Sequence, residues 1–377
     1  MPASVGRSIE YSPFRWALEE ILPLNLVRAW SNSWISRNQG VELILGYNQL
    51  VFSDIPWIVH AEVAHALVGR GFSQFERYKR IAQRLLVSER CKGILAWTEF
   101  AKKSLYINFS APDDFAHKLV LVPQAVPKKK PGSFHEREGI NILFVGSVNS
   151  PDTFVSKGGL EALQAFLLLD KVYDNLTLTI RANVPDWVAQ LYQLRKHPRV
   201  TLLERAMLGA ELDALFRNAD IFLYPTRQVQ NFVVVDAMSY GLPVLTTEAG
   251  SSGRLENNVD GIVLEETPPR FGFLELRRLG YHLPFDMVSI KQIIEDSKSL
   301  DRTVVRRAVR EHEGALVKEI VQKASRLIDH SNLRVQIGNR ARMVTDDGKL
   351  SVKERNRILQ SIFDRAIGDD CASGRGD

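Results

Sequence analysis

The segment "DIFLYPTRQVQNFVVVDAMSYGLPVLTTE", residues 220–248, is the clearest indication of the architecture. An apolar run typical of a buried strand (220–226) precedes a helical segment (231–241), and a second apolar run (242–248) follows a Gly-Leu-Pro turn. Two strands joined by a helix form a β-α-β unit, in which the strands run parallel. This segment therefore predicts part of a parallel sheet with helices packed on it.

Asp236 is the unexpected residue of this segment, because it lies within an otherwise apolar helix. A buried carboxylate without a partner costs several kcal/mol or shifts its pKa until it is neutral. Asp236 is therefore either a ligand-holding residue near a helix start at a cleft or a plain surface acid.

The same alternation of strands and helices extends through most of the chain. Apolar runs predict strands at 41–48, 55–62, 92–98, 118–126, 140–148, 176–182, 200–204, 220–226, 242–248 and 260–265. Helical periodicity predicts helices at 73–87, 99–109, 158–169, 209–219, 231–241 and 350–367. This pattern predicts an α/β fold with two Rossmann-like, doubly wound domains and a ligand cleft between them.

A segment rich in Pro, Lys and Gly, "PKKKPGSFHEREG", interrupts the alternation at residues 127–139. We expect a linker there, because no apolar periodicity persists through it. The predicted domains are 1–126 and 140–345, and residues 346–377 form a C-terminal helix that returns to the first domain, followed by a polar tail.

Composition favours a soluble globular protein, since 45% of the 377 residues are apolar and 25% are charged. The two cysteines, Cys91 and Cys371, are far apart, which indicates a reducing compartment without a disulfide framework. No apolar run approaches the length of a membrane span, and the first residues lack the pattern of a signal peptide. We therefore expect a cytoplasmic protein.

Two loops that follow predicted strands of the second domain carry residues suited to a phosphate-bearing ligand. In the first, Gly146 allows close backbone approach, and Lys157 stands directly before a helix start. The second loop contains Thr226, Arg227, Gln228 and Asn231 and leads into Asp236, whose carboxylate can accept hydrogen bonds from ribose hydroxyls. The alternative for the first loop is an ordinary loop with a surface lysine. The alternative for Asp236 is an acid that interacts only with the helix dipole.

In the first domain, His60, Glu62 and His65 follow a buried strand. His60 or Glu62 could face the cleft as a hydrogen-bonding group or general base, and a satisfied polar strand end is the alternative. The spacing does not match a zinc site, so we expect no metal.

Residues 70–103 combine Lys and Arg with aromatic and aliphatic side chains. Such a segment is typical of a helix that lies on an anionic membrane surface, which for a cytoplasmic protein is the inner face of the membrane. It is equally typical of a packed helix with one solvated face. We predict no nucleic-acid partner, because no recognition motif accompanies the charge.

Four motifs occur in an order that resembles a known family: "ILFVGSV", "KGGLEALQAF", "ADIFLYPT" and "VVVDAMSYGLPVLTT", within residues 140–265. This set is similar to the donor-binding half of retaining GT-B glycosyltransferases, specifically glycosyltransferase family 4 (glycosyl transferases group 1). The resemblance implies transfer of a sugar from a UDP- or GDP-linked donor, with no cofactor or required metal. The acceptor it implies is a cell-envelope glycan, a polysaccharide or a lipid-linked glycan.

The family's two-acid motif maps onto Gln228 and Asp236, and its Arg-plus-Lys diphosphate pair maps onto Ser147 and Lys157. The resemblance thus implies catalytic roles for His60, Glu62, Lys157 and Gln228. It implies donor contacts at Gly146, Ser147, Lys157, Thr226, Arg227, Asn231, Phe232, Val233 and Asp236.

The chain departs from the family pattern at Ser147 and Gln228, because neither carries the expected charge. Arg227 or Arg181 could supply the missing cation from another loop. These departures leave two alternatives open: a catalytically weak homologue that binds a nucleotide or glycan as a partner, and a GT-B sugar-nucleotide epimerase.

Overall fold

The protein is described here by a computed structural model, which describes residues 26, 41–69, 72–131, 139–149, 152–226, 228, 232–265 and 302–373. The chain forms two compact units. Unit 1 comprises Met1–Pro123 with Arg357–Asp377, and unit 2 comprises Gln124–Asn356. Unit 2 thus includes the described part of the predicted linker and the first residues of the predicted C-terminal segment.

Unit 1 contains a four-stranded sheet in which all described strands are parallel and follow chain order. The strands are β1 (Ile44–Tyr47), β2 (Trp57–Ala61), β3 (Cys91–Ala96) and β4 (Leu119–Leu121). The helices between them are α1 (Phe72–Val87), α2 (Glu99–Asn108) and the short α3 (Asp113–Ala116). The predicted strand 118–126 is shorter than expected, and the proline at 123 follows directly after its apolar residues.

The two faces of this sheet are covered by different helices. Alternate residues of β2 and β3 pack with α1 and α2 in a cluster that includes Val59, Phe75 and Leu105. The opposite face packs against the C-terminal helix α12 (Val352–Ser373), through a cluster that includes Ile58 and Ile362. The C-terminal helix is therefore a structural part of unit 1 from Arg357 onward.

Unit 2 contains a six-stranded sheet in which every described strand pair is parallel. Its strands are β5 (Ile140–Val145), β6 (Leu176–Arg181), β7 (Val200–Leu202), β8 (Ile221–Tyr224), β9 (Val244–Thr247) and β10 (Ile262–Leu264). Its helices are α4 (Asp152–Ser156), α5 (Gly159–Leu169), α6 (Asp186–Leu191), α7 (Gly209–Arg217), α8 (Phe232–Ser239), α9 (Glu248–Ser251), α10 (Arg302–Asp329) and α11 (Ser331–Asp346).

The order of the six strands is β7-β6-β5-β8-β9-β10. This is the doubly wound order, in which the chain moves one way from the central strand and later returns to build the other half. The direction reverses between β5 and β8, which pair through Ile142 with Ile221 and Leu143 with Phe222. The α/β fold predicted from the sequence is confirmed, as are the strands and helices quoted for unit 2.

Helices of unit 2 pack on both the sheet and one another. α10 packs against α5, and α11 packs against α8. The second contact is close, because a Cβ atom at Gly338 would lie 1.9 Å from the carbonyl oxygen of Gly241. Among the helices that the structure describes, none combines the length and apolarity needed to cross a bilayer.

Candidate functional site

The candidate site of unit 2 lies where the strand order reverses. The loops that follow the carboxyl ends of the neighbouring strands β5 and β8 begin at this point, and doubly wound folds bind ligands in a crevice at such a reversal. The segment after β5 begins at Gly146, and the segment after β8 begins at Pro225. Both loops that the sequence singled out therefore start at this crevice.

Gly146 and Arg181 form the first wall of the crevice. β5 and β6 are in register at Val145 and Arg181, and the Arg181 Nη1 donates a hydrogen bond to the Gly146 carbonyl oxygen at 3.0 Å. A Cβ atom at residue 146 would lie 2.9 Å from Ala182 Cβ, so only glycine fits without displacement. Arg181 is therefore held over the turn that follows β5.

Ser147, at the position where the family resemblance implied arginine, takes part in the turn itself. Its hydroxyl accepts a hydrogen bond from the Asn149 backbone N–H at 3.2 Å, and its carbonyl oxygen accepts one from the Asn183 N–H at 2.9 Å. These bonds shape the loop but add no positive charge.

Lys157 lies close to Arg181 and is partly buried. Burial and the neighbouring Arg181 charge lower the pKa of Lys157, and burial lowers the pKa of Arg181. Neither cation forms an ion pair with an acid in the described part of the chain, and the buried Arg181 Nε has no hydrogen-bond partner there. Two cations without a counter-ion are a suitable binding site for an anion.

Gly158 brings helix α5 against the crevice. It has a φ of 79° as the N-cap of α5, and no side chain caps the helix there. A Cβ atom at this position would lie 2.1 Å from the Pro225 carbonyl oxygen, so the loops after β5 and β8 touch here. The dipole of α5 adds partial positive charge at this helix start, beside Lys157.

Gln228 connects the same two loops. Its Nε2 donates to the Ser156 hydroxyl at 2.9 Å, and its backbone N–H donates to the Thr226 hydroxyl at 3.0 Å. Thr226 is fully buried, and its carbonyl oxygen accepts a hydrogen bond from the Thr247 hydroxyl. Thr226 therefore shapes the loop, whereas Gln228 is partly accessible.

Helix α8 carries three predicted donor-binding residues on one side. Val234, Val235, Ala237 and Met238 are buried, whereas Phe232, Val233 and Asp236 occupy the more accessible side. Phe232, at the start of the helix, is 43% exposed. Arg227 and Asn231 lie outside the described residues.

Asp236 lies near a group of polar residues that the sequence did not indicate: Lys129, Asp213 and Tyr240. Lys129 Nζ lies 3.0 Å from Asp213 Oδ1, and the Tyr240 hydroxyl donates a hydrogen bond to the same oxygen. Burial raises the pKa of Asp236 to about 6, with a smaller opposing effect of Lys129 and a further increase from Asp213. No described residue donates a hydrogen bond to the Asp236 carboxylate, so it can accept bonds from a ligand.

In unit 1, His60 lies among aromatic residues at the carboxyl ends of β1, β2 and β3. The Trp97 indole N–H donates to His60 Nε2 at 2.9 Å, and Tyr47 packs beside both rings. An indole N–H can only donate, so Nε2 of His60 is unprotonated and the neutral ring carries its proton on Nδ1. His60 Nε2 is thus occupied within the protein.

Glu62 is partly buried and is bound to Asn48. The Asn48 Nδ2 donates to Glu62 Oε2 at 3.1 Å, and the Glu62 backbone N–H donates to Asn48 Oδ1 at 2.7 Å. Burial raises the pKa of Glu62, and the Asn48 hydrogen bond opposes this rise. Burial also lowers the pKa of His65 to about 4, so this imidazole is neutral at pH 7.

Several of these residues could have been found from the sequence. Tyr240 lies four residues after Asp236 in the predicted helix 231–241, and Trp97 lies in the predicted strand 92–98, which follows the predicted strand that contains His60. No sequence pattern indicates Lys129 or Asp213, because the contact between them depends on tertiary packing. Within the described ranges, no group of three or more His, Cys, Asp or Glu side chains is suited to a metal ion.

Comparisons with known proteins find similarity in family and in fold. Residues 139–272, most of which lie in the described part of unit 2, match the family model of Glycosyl transferases group 1. A comparison with curated protein sequences finds no match.

Solved structures extend the similarity to both units. A complex of Anabaena HepE with UDP and glucose has a TM-score of 0.56 at 14% identity, covering 92% of this chain and 82% of HepE. A mutant of S. aureus TarM in complex with Fondaparinux, alpha-GlcNAc-glycerol and UDP has a TM-score of 0.52 at 13% identity, covering 82% of this chain.

The pneumococcal O-GlcNAc transferase GtfA in complex with UDP and GlcNAc has a TM-score of 0.54 at 12% identity, covering 90% of this chain and 59% of GtfA. The chain spans about half the length of TarM, since 51% of that protein is covered. The similarity shows that this chain has the α/β architecture of GT-B glycosyltransferases, with Rossmann-like units.

Proposed function

We propose that this protein is a retaining glycosyltransferase. It takes a sugar from a UDP- or GDP-linked donor and transfers it to a cell-envelope glycan, a polysaccharide or a lipid-linked glycan. The donor diphosphate binds at the crevice of unit 2, and no metal ion is required. The match of residues 139–272 to Glycosyl transferases group 1 supports the reaction class.

The observation that carries this proposal is the pair of cations at the strand-order reversal. Lys157 lies directly before α5, and Arg181 is the last residue of β6. Neither has an acidic partner in the described residues, and no side chain caps the start of α5 beside Lys157. Such an arrangement favours a ligand with two or more negative charges, as a diphosphate has. Arg181 supplies from β6 the cation that Ser147 lacks.

The nucleoside half of the donor binds along α8. The Asp236 carboxylate accepts hydrogen bonds from the ribose hydroxyls, which requires its ionised form because only that form offers both oxygens as acceptors. With burial raising its pKa to about 6, Asp236 is mostly ionised at pH 7. The complexes of TarM, HepE and GtfA contain UDP, which favours a uridine nucleotide.

The proposed reaction proceeds on one face of the donor sugar. The bond between the anomeric carbon and the β-phosphate oxygen breaks, and the acceptor oxygen bonds to that carbon from the same side. The acceptor hydroxyl proton passes to the departing phosphate oxygen. Lys157, Arg181 and the α5 amides stabilise the charge that develops on the diphosphate, which is the main source of rate in this mechanism.

One observation favours a second candidate, a nucleotide-binding homologue with little transferase activity. Gln228 replaces a family acid, and its side-chain N–H donates to Ser156 within the protein. A neutral amide contributes less to positioning a sugar hydroxyl than a carboxylate, because charge-assisted hydrogen bonds are about twice as strong.

Binding and turnover of purified variants test both candidates. We expect UDP or GDP to bind the wild-type protein, and Lys157→Met or Arg181→Gln to weaken binding about 10- to 150-fold, since a hydrogen bond to a charged group contributes about 1.5–3 kcal/mol. Arg181→Lys keeps the charge and should retain most of the affinity. The exposed Lys171→Gln serves as the matched control.

The outcomes separate the candidates. Release of nucleoside diphosphate with transfer to an added glycan supports the transferase, and tight binding without turnover supports the binding homologue. A changed sugar nucleotide formed without an acceptor would instead identify an epimerase. If neither UDP nor GDP binds, or if Lys157→Met and Arg181→Gln both bind nucleotide as well as the Lys171→Gln control does, the proposed donor site is wrong.

A further inference from the structure

Lys129, in the segment between β4 and β5, is a charged residue with no role in the reaction described above. Its side chain contacts helix α7, where Lys129 Nζ lies 3.0 Å from Asp213 Oδ1. The same nitrogen lies 5.5 Å from the centre of the Tyr240 ring, a distance at which a cation is attracted to the face of an aromatic ring. One residue of α7 and one directly after α8 therefore hold this lysine.

Tyr240 is itself fixed, so it gives Lys129 a rigid surface. Its hydroxyl donates to the Asp213 carboxylate, and the Phe216 ring stacks on the Tyr240 ring with 5.0 Å between centres and 5° between planes. Tyr240 is almost completely buried. Each of Lys129, Asp213 and Tyr240 thus contacts the other two, which holds the ammonium group in place.

The ammonium group of Lys129 acts on the Asp236 carboxyl. Tyr240, on which Lys129 lies, follows Asp236 by four residues, or about one helical turn. Burial raises the pKa of Asp236 to about 6, Lys129 opposes this rise, and Asp213 adds to it with a smaller effect. The positive charge of Lys129 therefore outweighs the negative charge of Asp213 at Asp236.

Other charged groups near α8 leave the Asp236 carboxyl unaffected. The closest neighbours of α8 are α11 and β9, and the residues of β9 carry no titratable group. On α11, Arg342 forms an ion pair with Asp346 at 3.1 Å, and on α7 the Arg217 Nε donates to a carbonyl oxygen of its own helix at 3.4 Å. Within the described part of the chain, Lys129 is the cation that acts on Asp236.

We propose that Lys129 is a positioning residue for donor binding, which keeps the Asp236 carboxylate ionised so that it can hold the ribose. The ionised form accepts hydrogen bonds through both oxygens, whereas the protonated form donates through one of them. A fixed ammonium group favours the ionised form without touching the ligand. This inference rests on the proposed function of Asp236 and adds to it a residue from outside the crevice.

A purely structural role for Lys129 is the rival explanation, and the neighbouring lysine provides the control for it. Lys128 Nζ lies 2.8 Å from Asp347 Oδ1, so both lysines attach the same segment to unit 2. The Lys128 pair is exposed, and Lys128 does not act on Asp236. Lys128→Met therefore removes one charge and one ion pair, as Lys129→Met does, and should leave the Asp236 carboxyl unchanged.

Calorimetry of the full chain with UDP and GDP, at pH 6 and at pH 8, tests the proposal. At pH 6 we expect Lys129→Met to bind the nucleotide about three- to ten-fold more weakly than Lys128→Met, since one unit of pKa changes the ratio of ionised to protonated acid ten-fold. At pH 8 the difference should be less than about two-fold, because Asp236 is ionised in both variants. Comparison at one pH cancels the titration of the nucleotide itself. Lys129→Arg keeps the charge and should bind like wild type.

A second measurement does not depend on nucleotide binding. Thermal unfolding gives the stability gained on Asp236→Asn, measured in the wild type, in Lys128→Met and in Lys129→Met from about pH 4 to pH 9. In the wild type this gain should stop growing near pH 6, where Asp236 becomes ionised in the folded state. In Lys129→Met it should continue to grow at higher pH, because Asp236 then keeps its proton to a higher pH. Circular dichroism confirms that each variant is folded, and Lys129→Gln is the second variant if Lys129→Met is not.

The two measurements separate failure of this inference from failure of the proposed donor site. If Lys129→Met matches Lys128→Met in both, or if its loss of binding is the same at pH 6 and pH 8, Lys129 has a structural role only and the inference is wrong. If the stability gain moves to higher pH but Asp236→Asn binds nucleotide as well as wild type, Lys129 acts on Asp236 as described. The assignment of the ribose to Asp236, and with it the role of Lys129 in donor binding, is then wrong.

Discussion

Replacement of Asp236 by asparagine should make the unliganded protein more stable and make it bind nucleotide more weakly. Burial raises the pKa of this carboxyl from 3.8 to about 6, so the folded state holds its proton more tightly than the unfolded state does. An acid with a raised folded-state pKa opposes folding increasingly as the pH rises above its unfolded-state pKa, and the penalty is complete above the folded-state pKa. Asparagine removes the charge and therefore the penalty.

The size of the effect follows from the pKa shift. A shift of about two units corresponds to about 3 kcal/mol at pH values above the folded-state pKa. The asparagine amide must itself be desolvated, which reduces the expected gain to about 1–3 kcal/mol. The gain should be absent below pH 3.8, grow as the pH rises to about 6, and stay constant above that.

Thermal unfolding of both proteins across this pH range measures the gain, and calorimetry with UDP and GDP at pH 7.5 measures the loss of binding. For a unit of this size, about 1–3 kcal/mol corresponds to an increase of several degrees in the midpoint. The exposed Glu256→Gln in the same unit is the control for removal of a carboxylate from the surface.

The reasoning fails if Asp236→Asn is less stable than wild type at pH 7.5, or if the difference between them does not change with pH. If Asp236→Asn is more stable than wild type but binds nucleotide equally well, the predicted effect of burial on the Asp236 carboxyl is correct. The proposed role of Asp236 in holding the ribose is then wrong.

Two other substitutions test the framework of each unit. Gly158→Ala places a Cβ atom 2.1 Å from the Pro225 carbonyl oxygen at a residue with a φ of 79°. It should lower unit 2 stability by at least about 2 kcal/mol and weaken diphosphate binding, and a wild-type thermal midpoint would contradict this. Lys118 donates to the carbonyl oxygens of Leu86, Val87 and Ser88 at the end of α1. Lys118→Met should cost unit 1 about 1–3 kcal/mol in urea denaturation, and a loss no larger than that of the exposed Lys103→Met would refute the capping role.

Much of the fold could be predicted because local pattern and tertiary environment agree. The strands β5 and β8 are continuous apolar runs, as expected for strands buried on both faces, and each is followed by a loop with turn residues. The helix of residues 350–367 was evident from its periodicity, and the structure extends it to Val352–Ser373. Its apolar side packs on the sheet of unit 1.

The candidate site was less predictable, since contacts between loops depend on strand order and register. The sequence left Arg227 and Arg181 as alternatives for the missing cation. The pairing of Val145 with Arg181 places Arg181 beside the β5 turn, and Arg227 lies outside the described residues. No local pattern could indicate that the Trp97 indole occupies His60 Nε2, because that contact joins residues 37 positions apart.

The packing of α12 on the unit 1 sheet has a consequence for synthesis of the chain. One face of that sheet is covered by residues beyond Arg357, which the ribosome adds after the whole of unit 2. At about 5–20 residues per second, the strands of unit 1 wait roughly 12–50 s with Ile58 and Leu95 uncovered. Unit 2 is continuous in the chain and can therefore complete its core before unit 1 does. A chaperone that binds exposed apolar sheets has the longest time to bind unit 1.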